Sequence, residues 1–264
     1  MQPQYGVVLR DLVVGVLDWR MWGRLGWLEI KRRYRRTLIG PFWTTLSLGI
    51  FIMALGIVWA HLWKQEPKVY LPFLCSGFLV WVMVSSIMTE GAAVFFAAEG
   101  IIKQLRFPYS ILVCSVVWRN VLVFFHNLFI YVLVGLYAGV NVTWATLLVI
   151  PGLFFVISSG LWVVIMLGLA CSRYRDIQQV VSSILQLSMF VTPIFWTPDQ
   201  LGERFGAFVD FNLLYHFVDI VRSPLLGRAP TLWSWMFVLV VTIIGWAITL
   251  FVYSRFRRRI PYWV

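Results

Sequence analysis

The chain has 264 residues, of which 61% are hydrophobic and only 12% are charged, and its net charge is +11. A soluble domain carries about 25% charged and about 45–50% apolar residues, so the composition excludes a soluble enzyme or a soluble binding module. The apolar residues form runs close to the roughly 20 residues that cross about 30 Å of hydrocarbon. We therefore expect an integral membrane protein of the all-α class, whose basic residues meet anionic membrane lipid rather than nucleic acid.

The first 38 residues are too rich in charge to form a membrane span. Their apolar residues recur at helical spacing between charged ones, which predicts one amphipathic helix in the membrane interface. These apolar residues are Leu9, Leu12, Val13, Val16, Trp19 and Trp22. A basic run, KRRYRR at residues 31–36, follows and is expected to stay in the cytoplasm. We therefore assign 1–38 to a cytoplasmic interface segment and 39–264 to a transmembrane domain.

Six long apolar segments follow the basic run. We place these spans at about 41–63, 70–97, 109–138, 146–171, 177–197 and 232–254. With the N-terminus inside, sixteen Lys and Arg residues fall in the inner segments and five in the outer loops. This asymmetry predicts a multi-pass protein of the bacterial inner membrane with both termini in the cytoplasm.

The segment between the last two spans, about 198–231, mixes apolar and polar residues. This composition predicts two short helices that enter the outer leaflet and return. Such irregular backbone is tolerated at membrane depth only where protein buries it or a wet cavity adjoins it. The alternative is a pair of helices lying flat on the outer surface.

Two charged residues, Glu90 and Arg119, fall inside predicted spans at similar depth. Buried charges in a bilayer are costly and usually paired, so we expect an ion pair between spans two and three. Either the pair fixes helix packing or it serves the substrate.

Span five carries a polar stripe, and such a stripe either joins helices or faces water. Its members are Gln179, Ser182, Ser183, Gln186 and Ser188, followed by Thr192.

Sequence motifs for nucleotide chemistry are absent. The chain has neither a G-x-x-x-x-G-K-[ST] phosphate loop nor a dinucleotide fingerprint. His61, His126 and His216 are scattered and have no carboxylate pair at catalytic spacing. We therefore expect a protein that is not an enzyme, that hydrolyses no nucleotide alone, and that binds no metal or cofactor itself.

Five motifs, in order along nearly the whole chain, resemble the ABC-2 type exporter permeases for polysaccharides. The first is KRRYRRTLIGPFW at residues 31–43, and the second is the turn IIKQLRFP at 101–108. The third is RDIQQ at 175–179 with TPIF at 192–195, and the fourth is NLL at 212–214 with Arg222. The fifth is the tail RRIPYW at 258–263. Leu213 stands where that family usually has proline.

The resemblance implies the permease of an exporter that moves lipid-linked polysaccharide, such as O-antigen, across the inner membrane. It implies a homodimer with two copies of a separate cytoplasmic ATPase, which would bind ATP and Mg²⁺. The segment 100–109 would be the coupling helix on that ATPase, spans one and five would line the channel, and helices within 198–231 would gate its outer mouth.

The site residues implied in this way form three groups. The coupling group is Gly100, Ile102, Lys103, Arg106, Phe107 and Pro108. The channel group is Trp43, Ser47, Phe51, Gln179, Ser182, Ser183, Gln186 and Thr192. The outer gate is Phe205, Phe211, Asn212, Tyr215 and Arg222.

Two other functions remain open from the sequence. An ABC-2 type exporter of a drug or small lipid would share the fold and the ATPase, but it would have a narrower and drier path. A membrane glycosyltransferase or polymerase would need clustered charges near the outer face. Its only candidates are Asp199, Glu203, Asp210 and Asp219, which resemble ordinary loop charges.

Overall fold

The computed structural model describes residues 5–35, 40, 42–105, 107–201 and 206–264, and only the backbone of 199, 201, 206 and 207. Within these residues all regular secondary structure is helical, as the composition predicts. The α-helices are, in chain order, α1 (Tyr5–Leu17), α2 (Trp19–Arg33), α3 (Phe42–Leu62), α4 (Pro67–Ala93), α5 (Glu99–Gln104), α6 (Ser110–Ala138), α7 (Val149–Arg173), α8 (Ile177–Val191), α9 (Pro198–Leu201), α10 (Gly206–Asp210), α11 (Leu213–Leu225), α12 (Leu232–Phe256) and α13 (Ile260–Trp263). Short 3₁₀ turns lie at Phe96–Ala98, Trp144–Leu148 and Arg257–Arg259.

Five helices in the described part of the chain are long and apolar enough to cross a membrane. They are α3, α4, α6, α7 with the 3₁₀ turn before it, and α12 with the segment after it. Helix α4 is the central one, because it packs against α3, α6, α7, α8 and α11 and is the most buried of the five. The chain is therefore a multi-pass membrane protein built around α4.

The predicted fifth span, 177–197, is wrong in length. Helix α8 ends at Val191 and has 15 residues, or about 22 Å at 1.5 Å per residue, which is shorter than the roughly 30 Å hydrocarbon layer. The reason is Pro193, which disfavours helical backbone at the residue before it. Thr192 accordingly adopts extended backbone angles, φ −81° and ψ 137°.

The N-terminal segment forms two helices rather than the single amphipathic helix predicted. The break lies at Asp18, which has non-helical backbone angles and caps α2 by accepting a hydrogen bond from the Met21 backbone N–H at 3.3 Å. Helix α1 packs against α6 and α12, and α2 packs along α6. The apolar residues Leu9 and Val13 face away from the protein, so the face that contacts α6 and α12 is a different one.

The described residues of the loop predicted to hold two helices form three, α9, α10 and α11. Helix α11 packs against α4, α7 and α12, and its residues 216–222 are buried. It approaches α7 closely at Gly152, where an added Cβ would lie 2.4 Å from the Ile220 carbonyl oxygen. Helix α11 is therefore enclosed by three helices.

Helices α1, α2, α5 and α13 gather at one end of the bundle, which we call the basal end. There α1 and α2 pack on the first half of α6, and α5 packs against α13. Helices α4 and α6, with 27 and 29 residues, measure roughly 40 and 44 Å at 1.5 Å per residue. Both are longer than a hydrocarbon layer of about 30 Å is thick, so they are long enough to cross it even when tilted.

Candidate functional site

Two helices, α3 and α8, present faces that the described part of the chain leaves uncovered. Both pack against α4; α3 also packs against α6, and α8 also contacts α7. On α3 the exposed face includes Trp43, Ser47 and Phe51, the three members of the predicted channel group that lie on this helix. The Ser47 hydroxyl is satisfied locally, because it donates to the Trp43 carbonyl oxygen at 2.9 Å, and the Phe51 ring lies 4.9 Å from that of Phe78 on α4.

Helix α8 has three distinct faces. Val181 and Leu185 are buried toward its neighbours. Gln179, Ser183 and Gln186 are exposed, and at about 100° per residue they fall within roughly 60° of one another. A third face is exposed and apolar, formed by Val180, Ile184, Leu187 and Val191. Ser182 is half-buried between the first two faces and donates to the Gln178 carbonyl oxygen at 3.1 Å.

The C-terminal end of α8 is joined to the start of α11 by Asn212. The Asn212 side chain caps α11 by accepting from the backbone N–H groups of Leu214 and Tyr215, both at 3.1 Å. Its amide nitrogen lies 3.4 Å from the hydroxyl of Thr192, which is fully buried. This cap starts α11 at Leu213, a first-turn position at which the family's usual proline would also fit.

Arg222 is buried between α11 and α4. Its guanidinium donates to the Pro193 carbonyl oxygen at 2.5 Å and lies 4.5 Å from the centre of the Phe73 ring. The Tyr215 ring is 5.7 Å away. Of the predicted gate residues, Tyr215 and Arg222 lie on α11 and Asn212 caps it, whereas Phe211, which precedes the cap, is 75% exposed. Phe205 lies outside the described residues.

The predicted coupling segment forms the short helix α5 at the basal end. Ile102 is buried, whereas Ile101 and Leu105 are exposed, and Gly100 faces open space. Lys103 forms an exposed ion pair with Glu99 at 2.6 Å, and this hydrogen bond lowers the pKa of Glu99. The Phe107 ring is half-buried and meets the Tyr109 ring edge-on, with ring centres 5.8 Å apart. Pro108 is also half-buried. Arg106 lies outside the described residues.

Asp11, which the sequence analysis did not single out, anchors α1 at the basal end. Its carboxylate accepts from the Tyr109 backbone N–H at 3.0 Å, from the Tyr253 hydroxyl at 2.7 Å and from the Arg257 guanidinium at 2.7 Å. The Ser110 hydroxyl donates to the Asp11 carbonyl oxygen at 2.6 Å. One buried carboxylate therefore ties α1 to the last residue of the predicted coupling segment and to the end of α12.

Glu90 and Arg119 lie in contact, at 2.6 Å between Oε2 and a terminal guanidinium nitrogen. Each also reaches α2, because Arg33 pairs with Glu90 at 2.8 Å and Glu29 pairs with Arg119. The hydrogen bond to Glu90 raises the pKa of Arg33. Since Glu90 is in the last turn of α4, the cluster lies at the level of α2 at the basal end and not midway along the bundle.

A second polar network fixes α11 to α12, and the sequence analysis did not identify it. The Ser234 hydroxyl donates to Asp219 at 2.8 Å and lies 3.1 Å from Nδ1 of His216. His216 Nε2 donates to the Asp210 carbonyl oxygen at 2.8 Å. All three side chains are buried. Among the described residues no group of three His, Cys, Asp or Glu side chains could hold a metal ion.

Comparison with known proteins identifies the family. The model of the ABC-2 type transporter family matches residues 22–226. The O-antigen export system permease protein RfbA of Myxococcus xanthus is 26% identical over 176 residues, which cover 67% of this chain and 68% of that protein. The protein of the same name from Klebsiella pneumoniae is 25% identical over 193 residues, covering 70% of this chain and 72% of that protein. These matches confirm the resemblance drawn from the motifs, and the chain belongs to the ABC-2 type transporter family.

Proposed function

We propose that this protein is the permease subunit of an ATP-driven exporter that moves lipid-linked polysaccharide across the bacterial inner membrane. The observation that carries the proposal is the exposed polar face of α8, formed by Gln179, Ser183 and Gln186. Polar side chains are costly in hydrocarbon unless they find hydrogen-bond partners. In a membrane this face therefore needs either water or a second protein surface.

A homodimer would meet that need and form a path at the same time. Helices α3 and α8 both pack against α4, and the residues that the structure describes leave one face of each uncovered. A second copy placed against these faces would enclose a space lined by Ser, Gln and aromatic side chains. Such neutral groups suit a hydrophilic polymer, because weak and repeated contacts let it enter without being held.

The basal end has the features of an ATPase-docking and cytoplasmic surface. The exposed apolar residues Ile101 and Leu105 flank the charged side chains of α5. The same end holds the basic residues of α2 and of the tail, which the positive-inside rule places in the cytoplasm. Two ATPase copies, one for each permease chain, would drive the cycle if ATP binding favours one permease conformation.

The proposed topology has six crossings, with both termini in the cytoplasm. Helix α8 is too short to cross alone, so the helices α9 to α11 would complete the crossing from the outer side. The first turn of α11 supports this arrangement, because Leu213 and Leu214 line one cavity with Val84 and Met88, far along α4 from Pro67. Helix α11 would then be the returning limb of a re-entrant pair and would gate the outer mouth.

The substrate class is supported by the names of the relatives, which are O-antigen export permeases.

Cysteine labelling in cells tests whether the polar face of α8 lines a water-filled path. In a background without the three buried native cysteines, Ser183→Cys should react with a water-soluble maleimide. Ile184→Cys, its neighbour on the apolar face, should not react. An unreactive Ser183→Cys, or equal labelling of both variants, would show that this face of α8 does not line water.

A further inference from the structure

A cleft of about 590 Å³ lies between α2 and α6 at the basal end. Its volume falls within the roughly 300–1,000 Å³ typical of ligand sites. Four tryptophans and two arginines line it: Trp19, Trp22, Trp27, Trp118, Arg20 and Arg24. The remaining lining residues are Gly23 and Leu122, and no acidic side chain is among them.

The cleft is shaped by a glycine between two tryptophans on one ridge of α2. Trp19, Gly23 and Trp27 are spaced four residues apart and therefore share a helix face. The two indoles are 62% and 52% exposed, and a Cβ added at Gly23 would meet nothing within 4 Å. Gly23 thus leaves a slot that is walled by two aromatic rings.

The back of the slot is firmly built. The Trp22 and Trp118 rings meet edge-on at 5.6 Å, and the Trp22 indole N–H donates to the Val16 carbonyl oxygen at 3.1 Å. Helix α2 can approach α6 because residue 26 is glycine. An added Cβ at Gly26 would lie 3.1 Å from the Ser115 carbonyl oxygen. The back of the cleft is therefore held in place by contacts within the chain.

The two arginines are available to a ligand. Both are exposed, and neither pairs with an acidic side chain in the ranges that the structure describes. The nearby Asp18 is engaged in capping α2. The Arg20 guanidinium lies 5.7 Å from the centre of the Trp19 ring, so cation and aromatic face already adjoin. Guanidinium groups bind phosphate oxygens in bidentate fashion, and the negative face of an indole attracts the C–H edge of a sugar ring.

The cleft adjoins the start of the proposed path. Leu122 lines it on α6, and His126, one turn further along, contacts Phe42 at the first turn of α3 with ring centres 6.0 Å apart. Tryptophan and arginine together are typical of the level of the lipid head groups. A molecule whose hydrocarbon chain lies in the membrane could therefore place its head group in the cleft beside α3.

We propose that this cleft binds the head group of the exported lipid, a phosphate or pyrophosphate ester that carries the first sugar. The arginines would hold the phosphate, and the tryptophans on either side of Gly23 would enclose the sugar. This inference rests on the proposed function and assigns the site at which the substrate is loaded. An ordinary anionic phospholipid would need the arginines but not the aromatic slot.

The test uses the full-length protein in phosphatidylcholine nanodiscs. The probe is a citronellyl pyrophosphate that carries one N-acetylglucosamine, and its binding is measured by calorimetry. Gly23→Leu places a side chain in the slot at a position where the added Cβ meets no atom within 4 Å, and Arg24→Gln removes one phosphate donor. Each should weaken binding at least tenfold. Gly6→Leu, also in open space, and Arg32→Gln, on the same helix but lining another cavity, should bind like the wild type.

Three results would overturn the assignment. They are no binding of the probe by the wild type, equal weakening of binding by the control variants, and equally tight binding of dioleoylphosphatidylglycerol. The last result would indicate a general anionic-lipid surface.

A second readout separates this inference from the proposed function. In cells depleted of the native protein, wild type and Gly6→Leu should restore the surface glycan, and Gly23→Leu should not. If the wild type restores it and Gly23→Leu restores it equally, only the cleft is wrong. If depletion leaves the glycan unchanged, the proposed function fails.

Discussion

Removal of the Asp11 carboxylate should destabilise the protein strongly. The Asp11 side chain is 1% exposed and pairs with Arg257 at 2.7 Å, while it also accepts from Tyr253 at 2.7 Å and from the Tyr109 backbone at 3.0 Å. Removing one partner of a buried ion pair costs about 3–5 kcal/mol. A hydrogen bond to a charged group contributes about 1.5–3 kcal/mol. We therefore expect Asp11→Ala to cost about 3–5 kcal/mol, and Asp11→Asn, which keeps one acceptor, to cost less.

The assay is thermal unfolding of the purified protein in detergent at one fixed scan rate, because membrane proteins often unfold irreversibly. At about 2–4 °C per kcal/mol for a chain of this size, Asp11→Ala should melt roughly 6–20 °C below wild type. Asp18→Ala is the matched control, because it also removes a carboxylate from the N-terminal segment. It breaks only one capping hydrogen bond, at 3.3 Å, and loss of such a cap lowers the free energy of unfolding by about 0.5–2 kcal/mol. An Asp11→Ala protein that melts like Asp18→Ala would refute the reasoning.

Two further predictions concern helix packing. Gly152→Ala places a Cβ 2.4 Å from a carbonyl oxygen of α11. The same melting assay should therefore show that the free energy of unfolding falls by about 1–3 kcal/mol. Gly6→Ala, in open space, is the control and should melt like wild type. The charge swap Glu90→Arg with Arg119→Glu should recover part of the export lost in either single variant, but not all of it, because each residue also pairs with a charged residue on α2. A double variant no more active than the single ones would show that the pair has no role of its own.

The long helices could be predicted from the sequence because an apolar run near 20 residues leaves few alternatives to a membrane span. Their ends were less certain, since they depend on local backbone chemistry. Pro193 ends α8 early, and Asp18 divides the N-terminal segment by capping α2. Both residues were visible in the sequence. The hydrophobic pattern alone continues past both, whereas proline and aspartate are typical helix-boundary residues.

The contacts at the basal end could not be predicted because they join distant parts of the chain. Asp11 and Tyr253 are 242 residues apart, and nothing in the N-terminal pattern indicates which residues Asp11 contacts. The available signal was one acidic residue on a face otherwise formed by small and apolar residues. Glu90 and Arg119 were easier to identify, since a charge within an apolar run is unusual, but their partners on α2 required the structure.

The most direct test of the proposed function is to deplete this protein in its native host and to locate the lipid-linked polysaccharide. The account predicts that the polymer is made, that it accumulates on the cytoplasmic side of the inner membrane, and that the surface glycan is lost. Wild-type protein expressed from a plasmid should restore the surface glycan. A polymer that is no longer made would point to a biosynthetic enzyme, and an unchanged surface would contradict polysaccharide export.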